Sequence, residues 1–310
     1  MQDHRHDDQD AARRIQRVEA ALAGEMERQL PAGLYLVATP IGNLADISLR
    51  ALAVLTRADL IAAEDTRHSR KLLSHFGIKA ELTPYHEHNA AKERPRLLAR
   101  IRAGFSVALI SDAGTPLISD PGYKLVREAL EAGLQVTSVP GPSAALAALT
   151  SAGLPTDTFL FAGFLPPKGG QRRKRLEELK PVPATLIFYE TASRLHAALA
   201  DMAEVYGARE AAIAKELTKL HESVARGSPA ALAAAFDSTE LKGEFVVLVG
   251  PPNPHEAEIG DDAIVASLKQ ALQQESFRDA VRSVADKFKL KRSRVYALGL
   301  TLERKGSNRP

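Results

Sequence analysis

The sequence predicts an α/β fold of two domains, followed by a small helical module at the C-terminal end. In the first half of the chain, short runs of Val, Ile and Leu alternate with helical stretches. This pattern is typical of a parallel sheet with helices on both faces. In the second half, strands follow one another without a strict alternation of long helices, which favours a mixed sheet. A proline-rich linker at 251–254 is then followed by helical segments alone.

The first domain is predicted over residues 33–153, after an extension over 1–32 in which Ala11–Leu30 has helical composition. Each predicted strand is a short apolar run that ends at Gly, Pro or a polar residue. The strands are Leu34–Ala38, Asp59–Ala63, Glu81–Tyr85, Ser106–Ile110 and Gln135–Val139. The helices are Ile47–Thr56, a stretch through Lys71 and Leu72, Ala90–Ala103, Tyr123–Glu131 and Ser143–Ala152.

The second domain is predicted over residues 154–252 and the helical module over 258–310. Predicted strands of the second domain are Thr158–Phe161, Thr185–Tyr189, Ala211–Lys215, Glu222–Arg226 and Glu244–Val249. Its predicted helices are Gln171–Leu179, Ala197–Tyr206 and Pro229–Phe236. Those of the module are Ala263–Gln273, Phe277–Lys287 and Arg292–Leu300, in an arrangement that is similar to a helix-turn-helix.

Composition excludes several classes of protein. With 45% hydrophobic and 25% charged residues, the 310-residue chain has the ordinary mix of a globular protein. The lack of cysteine excludes disulfides, thiolate metal sites and thiol nucleophiles. His86 and His88 follow the third strand without a third ligand in view, so we expect no metal. No apolar run approaches 18 residues and the N-terminus lacks the apolar stretch of a signal peptide, so we expect a cytoplasmic protein without a membrane span.

The net charge of +3 is unevenly distributed along the chain. The segment 264–310 holds eleven Lys and Arg against four Asp and Glu, so it carries +7 and the remainder carries −4. A basic end on a mildly acidic body indicates a polyanionic partner. A solvated helix surface rich in lysine explains the same charge equally well.

Three loops that follow predicted strands combine rigid Pro with permissive Gly: Thr39–Leu44, Asp112–Pro116 and Pro140–Ala144. Glycine lets a ligand approach the backbone closely, and proline holds the shape of a loop. Taken singly, each loop is explained as a tight connection, but together at one sheet edge they predict a ligand cleft. Neither a phosphate-binding P-loop nor a G-x-G-x-x-G fingerprint is present, so the ligand is expected to be nucleotide-like without a phosphate cradle.

Several motifs together make the chain recognisable over about residues 33–300. The segments Leu36–Asp46, Ala62–Arg67, Ser111–Gly122 and Val139–Ala144 closely resemble the ribosomal RNA small-subunit methyltransferase I family, a branch of the tetrapyrrole methylase superfamily. Later matches are Gly163–Pro166, Phe188–Glu190, Glu216–Lys219 and Lys242–Glu244. The superfamily usually carries G-x-G-x-G-D after its first strand. Here Thr39–Leu44 stands instead, which argues against a porphyrinoid substrate rather than against the cofactor.

The resemblance implies two α/β domains with S-adenosylmethionine between them, 2′-O-methylation of a cytidine ribose in the decoding region of 16S rRNA, and a homodimer. It also implies cofactor contacts on both domains. Those of the first domain are Pro40, Gly42, Asn43, Leu44, Asp112, Ala113, Gly114, Thr115, Pro116, Pro140, Gly141, Pro142, Ser143 and Ala144. Those of the second domain are Phe164, Leu165, Tyr189, Leu217, Thr218 and Gly243, of which Leu165 and Leu217 are equally well explained as core.

Methyl transfer to a ribose hydroxyl benefits from a general base or from a cation that stabilises the developing alkoxide. The candidates are Glu64 and Asp65 after the second strand, and Lys215 and Glu216 after a strand of the second domain. Each has an ordinary alternative. Glu64 could pair with Arg67 at the start of a helix, and Asp65 could cap that helix.

For the RNA, we expect contacts from the basic segment Lys168–Arg175 and from the helical module, which could instead support a dimer. The expected partner is 16S rRNA or the small ribosomal subunit. Two other functions stay open at this point. One is methylation of a tetrapyrrole of the precorrin type, and the other is a DNA-binding regulator whose α/β body senses a metabolite.

Overall fold

The structure, a computed structural model, describes residues 3–236, 243–252, 261–288, 290 and 292–306. Within these residues the first sheet has five parallel strands in the order β3-β2-β4-β1-β5. The strands are β1 (Gly33–Val37), β2 (Leu60–Ala63), β3 (Leu82–Pro84), β4 (Ser106–Ile110) and β5 (Val136–Val139). Because β4, β1 and β5 are neighbours, the three predicted ligand loops leave the same edge side by side.

Helices cover both faces of this sheet, as the buried strand runs predict. The helices of the first domain are α2 (Leu49–Arg57), α3 (Thr66–His75), α4 (Ala90–Arg102), α5 (Tyr123–Glu131) and α6 (Ala144–Ala152). Successive side chains of a strand point to opposite faces. Tyr35 and Val37 therefore pack with α2 and α3 on one face, whereas Leu34 packs with α4 and α5 on the other.

The N-terminal extension forms helix α1 (Asp3–Glu27), which is longer than the predicted Ala11–Leu30 and ends before Pro31. Its C-terminal part contacts α2. The Tyr35 hydroxyl then donates a hydrogen bond of 2.8 Å to the Pro31 carbonyl, where the chain enters the first strand. Ile15 and Val18, near the middle of α1, are more than half exposed.

The second sheet is mixed, as predicted, with the order β6-β7-β10-β8-β9. Only β6 and β7 are parallel among its described pairs. The strands are β6 (Phe159–Phe164), β7 (Thr185–Thr191), β8 (Ala211–Lys215), β9 (Ser223–Gly227) and β10 (Glu244–Val249). The helices are α7 (Gly169–Leu179), α8 (Ala192–Tyr206) and α9 (Pro229–Ala235).

Two boundaries differ from the sequence prediction for identifiable reasons. Strand β6 continues to Phe164 instead of ending at Phe161, because the register with β7 shifts at Ala162 and pairing resumes at Gly163, which takes a φ of +66°. Helix α8 begins at Ala192 instead of Ala197, directly after β7 ends at Thr191. The linker 251–254 is described only to Pro252.

Helix α6 joins the two domains. Ala145, Ala148 and Leu149 on this helix pack against Ile187 and Val246 of the second sheet in one buried cluster. The C-terminal helices are α10 (Asp261–Ala271), α11 (Phe277–Phe288) and α12 (Arg292–Gly306). They share a separate core that includes Ala280, Val284, Leu290 and Val295.

Candidate functional site

The edge of the first sheet where its strands end faces the edge of the second sheet where β7 ends and β10 begins. A cavity of about 350 Å³, here the inner cavity, lies between these edges. Its volume is within the range of small-molecule sites. The walls are formed by Ile41, Glu64, Asp112, Ala113, Gly114, Thr115, Ile118, Ser119, Asp120, Ser143, Ala144, Phe164, Tyr189, Glu190, Thr191, Ala214, Leu217, Gly243, Glu244, Phe245 and Val246.

A second cavity of about 470 Å³, here the outer cavity, adjoins the first. The two share Ile41, Asp112, Ala113 and Glu244, so a group in one borders the other. The remaining walls of the outer cavity come from the loop after β1, from helix α3 and from the second domain: Thr39, Pro40, Gly42, Leu44, His68, Lys71, Leu72 and Lys219.

Hydrogen bonds tie the three predicted ligand loops of the first domain together. Thr39 and Gly114 exchange two backbone hydrogen bonds of 2.9 and 3.0 Å, and the Thr115 hydroxyl donates to the Pro142 carbonyl at 3.1 Å. The φ of +79° at Gly114 favours glycine, because a Cβ in this region is strained. The loops therefore form one rigid wall rather than three independent connections.

On the second domain, Tyr189 packs edge-on against Phe161 and Phe164, with ring centroids 4.9 and 5.7 Å apart. Gly243 has a φ of +106°, and a Cβ added there would lie 2.4 Å from Glu216 Oε1. Glycine at 243 thus lets the chain pass close to the Glu216 carboxylate before β10 begins.

Carboxyl groups converge on the inner cavity from two loops of the first domain, the loop after β2 and the loop after β4. Burial raises the pKa of the Glu64 carboxyl, and the nearby Asp120 and Asp112 raise it further. Burial also raises the pKa of Asp120, although a hydrogen bond with Ser111 opposes the shift. The Asp65 backbone N–H donates to Asp112 Oδ1 at 3.1 Å and so fixes that carboxylate. Glu64 is therefore the predicted catalytic candidate that lies in the cavity with an elevated pKa.

The other three predicted catalytic residues have different surroundings. Asp65 caps α3 by accepting a hydrogen bond of 2.7 Å from the Arg67 N–H, which is the alternative role expected of it. Arg67 pairs with Asp65 at 3.5 Å, not with Glu64. Glu216 Oε1 accepts from Lys219 Nζ at 3.1 Å and from the Glu244 N–H at 3.0 Å, and the latter bond lowers its pKa. Lys215 lies at the end of β8, outside both cavity walls.

Most predicted cofactor residues lie on the two cavities. The inner walls include Asp112, Ala113, Gly114, Thr115, Ser143, Ala144, Phe164, Tyr189, Leu217 and Gly243, and the outer walls include Pro40, Gly42, Leu44, Asp112 and Ala113. Seven lie outside these walls: Asn43, Pro116, Pro140, Gly141, Pro142, Leu165 and Thr218. Among these, Leu165 is 2% exposed in the core of the second domain. As site contacts, all twenty remain predictions.

Sequence reasoning missed several charged residues of the site. Asp120 lies near the end of the recognised segment Ser111–Gly122, and Glu190 is the last residue of Phe188–Glu190. Both belong to recognised motifs, but the sequence assigns neither a role. Glu190 is 3% exposed, and its Oε1 lies 3.2 Å from Arg194 Nε. Burial raises its pKa, and Arg194 opposes the shift. No signal in the sequence marked His68 and Lys71 on the wall of the outer cavity.

Three of the five basic residues in the predicted RNA segment Lys168–Arg175 are paired with carboxylates, and Lys168 and Lys174 form no ion pair with a described residue. Arg172 is buried and lies 2.6 Å from Asp201, whose second oxygen is 2.9 Å from Arg173. Arg175 pairs with Glu178 at 3.2 Å. In the C-terminal module, from which RNA contacts are also predicted, Lys289 and Lys291 lie outside the described residues. Contacts of either region with RNA remain predictions.

Comparisons with known proteins agree with this geometry. Residues 33–233 match the family described as tetrapyrrole (corrin/porphyrin) methylases. The crystal structure of uroporphyrin-III-C-methyltransferase from Thermus thermophilus is similar, with a TM-score of 0.52 and 24% identity over 71% of this chain and 94% of that one. The chain belongs to the tetrapyrrole methylase family.

The relatives with higher identity carry one particular name, ribosomal RNA small subunit methyltransferase I. The relative from Mesorhizobium japonicum is 57% identical over 78% of this chain and 83% of its own length. That from Escherichia coli O157:H7 is 49% identical over 74% and 82%. The predicted family and fold class are thus confirmed, and the chain is a methyltransferase that uses S-adenosylmethionine.

The residues present fit this cofactor. The Thr218 hydroxyl is buried, has no hydrogen-bond partner among the described residues, and lies beside Gly42. The inner cavity combines apolar walls with carboxyl groups and no basic side chain among its described lining, which suits a cation. Within the described residues, no group of His, Asp and Glu is arranged to hold a metal ion, and no helix combines the length and hydropathy required to span a membrane.

Proposed function

We propose that the protein methylates the 2′-hydroxyl of a cytidine ribose in the decoding region of 16S rRNA. The observation that carries the proposal is the high identity to relatives named ribosomal RNA small subunit methyltransferase I, over at least 70% of the chain in those compared. The cavity pair supports it, because an outer cavity that shares a wall with the cofactor site gives a nucleotide a place beside the methyl donor.

The inner cavity is the proposed cofactor site. When bound, S-adenosylmethionine supplies an electrophilic methyl group on a positively charged sulfur. The carboxylates of Asp112 and Glu190 stabilise positive charge there, because a partly buried cavity screens charge less than water does. Tyr189 and Leu217 provide apolar contact area from the second domain. The tied loops of the first domain hold the opposite wall rigid, which favours precise alignment.

Glu64 is the proposed proton acceptor. A ribose hydroxyl must lose its proton as the new C–O bond forms, and a carboxylate within reach accelerates that step. The raised pKa of Glu64 makes its carboxylate a better base than an exposed one. Asp65 and Glu216 are occupied by a helix cap and an ion pair, respectively.

A labelling experiment tests the proposal. The purified protein is incubated with S-adenosylmethionine labelled on the methyl group and, separately, with small ribosomal subunits, deproteinised 16S rRNA or uroporphyrinogen III. Label in a 2′-O-methylcytidine of the decoding region is expected, and its presence on subunits or on free rRNA tells which is the substrate. Label in the porphyrinoid alone would contradict the proposal.

A homodimer in the cytoplasm is part of the same proposal. Light scattering of the purified chain is expected to give twice the 33.4 kDa of one copy. A single-copy mass across micromolar concentrations would contradict the dimer without affecting the assigned reaction.

A further inference from the structure

Helix α3 carries a cationic face that the proposed reaction has not yet used. Its ten residues include Arg67, His68, Arg70, Lys71 and His75, and none is acidic. All five of these side chains are exposed, while Ser69, Leu72 and Leu73 turn into the core. The helix therefore presents basic residues to solvent and apolar ones to the sheet.

The arginine that begins the basic face does not stabilise the helix. Arg67 lies in the first turn, where the helix dipole disfavours cations. Arg67 is 85% exposed and makes a long contact of 3.5 Å with Asp65. Neither Arg70 nor Lys71 forms an ion pair with a described residue. Arg70 and Lys71 are therefore available to an external anion.

The position of α3 relates this face to the reaction. The helix follows β2 directly, so its first turn lies next to Glu64 at the edge of the inner cavity. His68 and Lys71 line the outer cavity, opposite Leu44, which is 39% exposed. The outer cavity thus has the basic side chains of His68 and Lys71 on one wall and the apolar Leu44 on another, and the carboxylates Asp112 and Glu244 lie on the wall that it shares with the inner cavity.

We infer that the outer cavity and the exposed face of α3 form the RNA-binding track of this enzyme: a single-stranded segment of rRNA lies with its phosphates along α3 and its target nucleotide in the outer cavity. Phosphate oxygens need basic side chains, and a base needs an apolar or aromatic surface. Both are present here, whereas the three arginines of Lys168–Arg175 are already paired with Asp201 and Glu178. This inference rests on the proposed function.

Charge reversal on α3 tests the track. The double variant Arg70→Glu/Lys71→Glu is compared with Lys79→Glu/Arg102→Glu. The control changes the net charge equally at two exposed residues that precede β3 and β4, at the opposite edge of the sheet. The α3 variant is expected to raise the KM for rRNA by about tenfold or more and to reduce the salt dependence of RNA binding by about two phosphate contacts. Calorimetric affinity for S-adenosylhomocysteine is expected to stay as in the wild type in both variants.

Four outcomes separate the possibilities. Equal KM and salt dependence in the α3 variant and the control would overturn the track while leaving the proposed function intact. If the wild-type protein labels no rRNA, the proposed function is contradicted instead. The salt dependence of 16S rRNA binding, compared between the α3 variant and the control, then still decides whether α3 contacts RNA. If the α3 variant loses affinity for assembled subunits but not for deproteinised rRNA, α3 contacts a ribosomal protein rather than RNA, and the inference is overturned. If the reversed variant is destabilised in thermal unfolding, Arg70→Gln/Lys71→Gln against Lys79→Gln/Arg102→Gln gives the same comparison with a smaller charge change.

Discussion

Glu64 combines a defined position with an unusual environment. It follows the last residue of β2, where the side chain reaches the inner cavity, and its carboxyl is desolvated and faces Asp120 and Asp112. Each of these effects favours the neutral acid, so the pKa lies above the ordinary glutamate value. A proton acceptor with these properties is active only in its ionised form.

The variant Glu64→Gln is expected to lower kcat for methyl transfer about a hundredfold or more, because general base catalysis contributes at least that much. In the wild type, the rate is expected to rise with pH as Glu64 loses its proton, through a pKa above 4.5. The Glu64→Gln variant is expected to lack this rise of the rate with pH, because the glutamine amide has no acidic proton to release. Rates measured from pH 4.5 to 8 check this, and an unchanged kcat and profile would assign the base elsewhere.

Gly243 is required by geometry at the entry to β10. Alanine at 243 would combine a φ of +106° with a Cβ 2.4 Å from Glu216 Oε1. Gly243→Ala is therefore expected to reduce the free energy of unfolding by about 1–3 kcal/mol or more, as strained backbone positions do.

Gly104→Ala is the matched control for Gly243→Ala. Gly104 has a φ of +94°, but a Cβ there would have no atom within 4 Å. This variant therefore measures the cost of backbone strain without any cost from crowding. Chemical denaturation of both variants measures the difference. Equal losses of stability in the two variants would show that the Glu216 side chain moves away from a Cβ at 243 without a cost in free energy.

At the scale of elements, a buried ion pair joins α7 to α8. Arg172 on α7 is 8% exposed at the side chain and lies 2.6 Å from Asp201 on α8, which is 9% exposed. The guanidinium also donates to the Pro167 carbonyl at 3.2 Å. Removing the carboxylate leaves a buried cation without its counter-charge, which is strongly destabilising.

Asp201→Ala is accordingly expected to reduce stability by about 3–5 kcal/mol. Glu178→Ala removes the exposed partner of Arg175 on the same helix and is expected to change stability by less than about 1 kcal/mol. Urea denaturation of the two variants makes the comparison. Similar small losses of stability in both variants would mean that the Arg172 guanidinium becomes hydrated when Asp201 is absent.

Local sequence patterns predict the order and type of the helices and strands. They do not predict which strands lie next to one another in a sheet. Ser106–Ile110 and Glu244–Val249 were predicted with the observed bounds because each is a continuous apolar run between polar residues. Local patterns do not predict the bulge beside Gly163. A glycine indicates the end of a strand unless the pairing with the parallel strand β7 is known.

The candidate site shows the same division between local and long-range information. Its loops were recognisable because Pro and Gly mark them locally. The burial of Arg172 and the shared wall of the two cavities arise from residues far apart in the chain, such as Ile41 and Glu244. No single-sequence pattern reports such contacts.

At the scale of the whole molecule, the body and the C-terminal module have separate cores. The cluster around Ile264, Ala280 and Val295 contains side chains of α10–α12 and of Leu290 beside them, and no described residue beyond 252 lines either cavity. A chain that ends at residue 252 is therefore expected to bind S-adenosylhomocysteine within about twofold of the full chain, since the surrounding cavity walls are unchanged.

Calorimetry on the shortened chain checks that expectation, and light scattering on the same sample separates two roles of the module. A lower affinity for rRNA with the dimer retained indicates an RNA contact, whereas loss of the dimer indicates a role in assembly. A loss of S-adenosylhomocysteine binding in a folded shortened chain would contradict the independence of the cofactor site.

The most direct test of the central claim is a map of ribose methylation on 16S rRNA from a strain that lacks this protein. We predict that one 2′-O-methylcytidine in the decoding region disappears, returns with the wild-type chain, and returns only weakly with Glu64→Gln at equal expression. An unchanged methylation map in the deletion strain would contradict the assignment of this protein as the methyltransferase of that ribose.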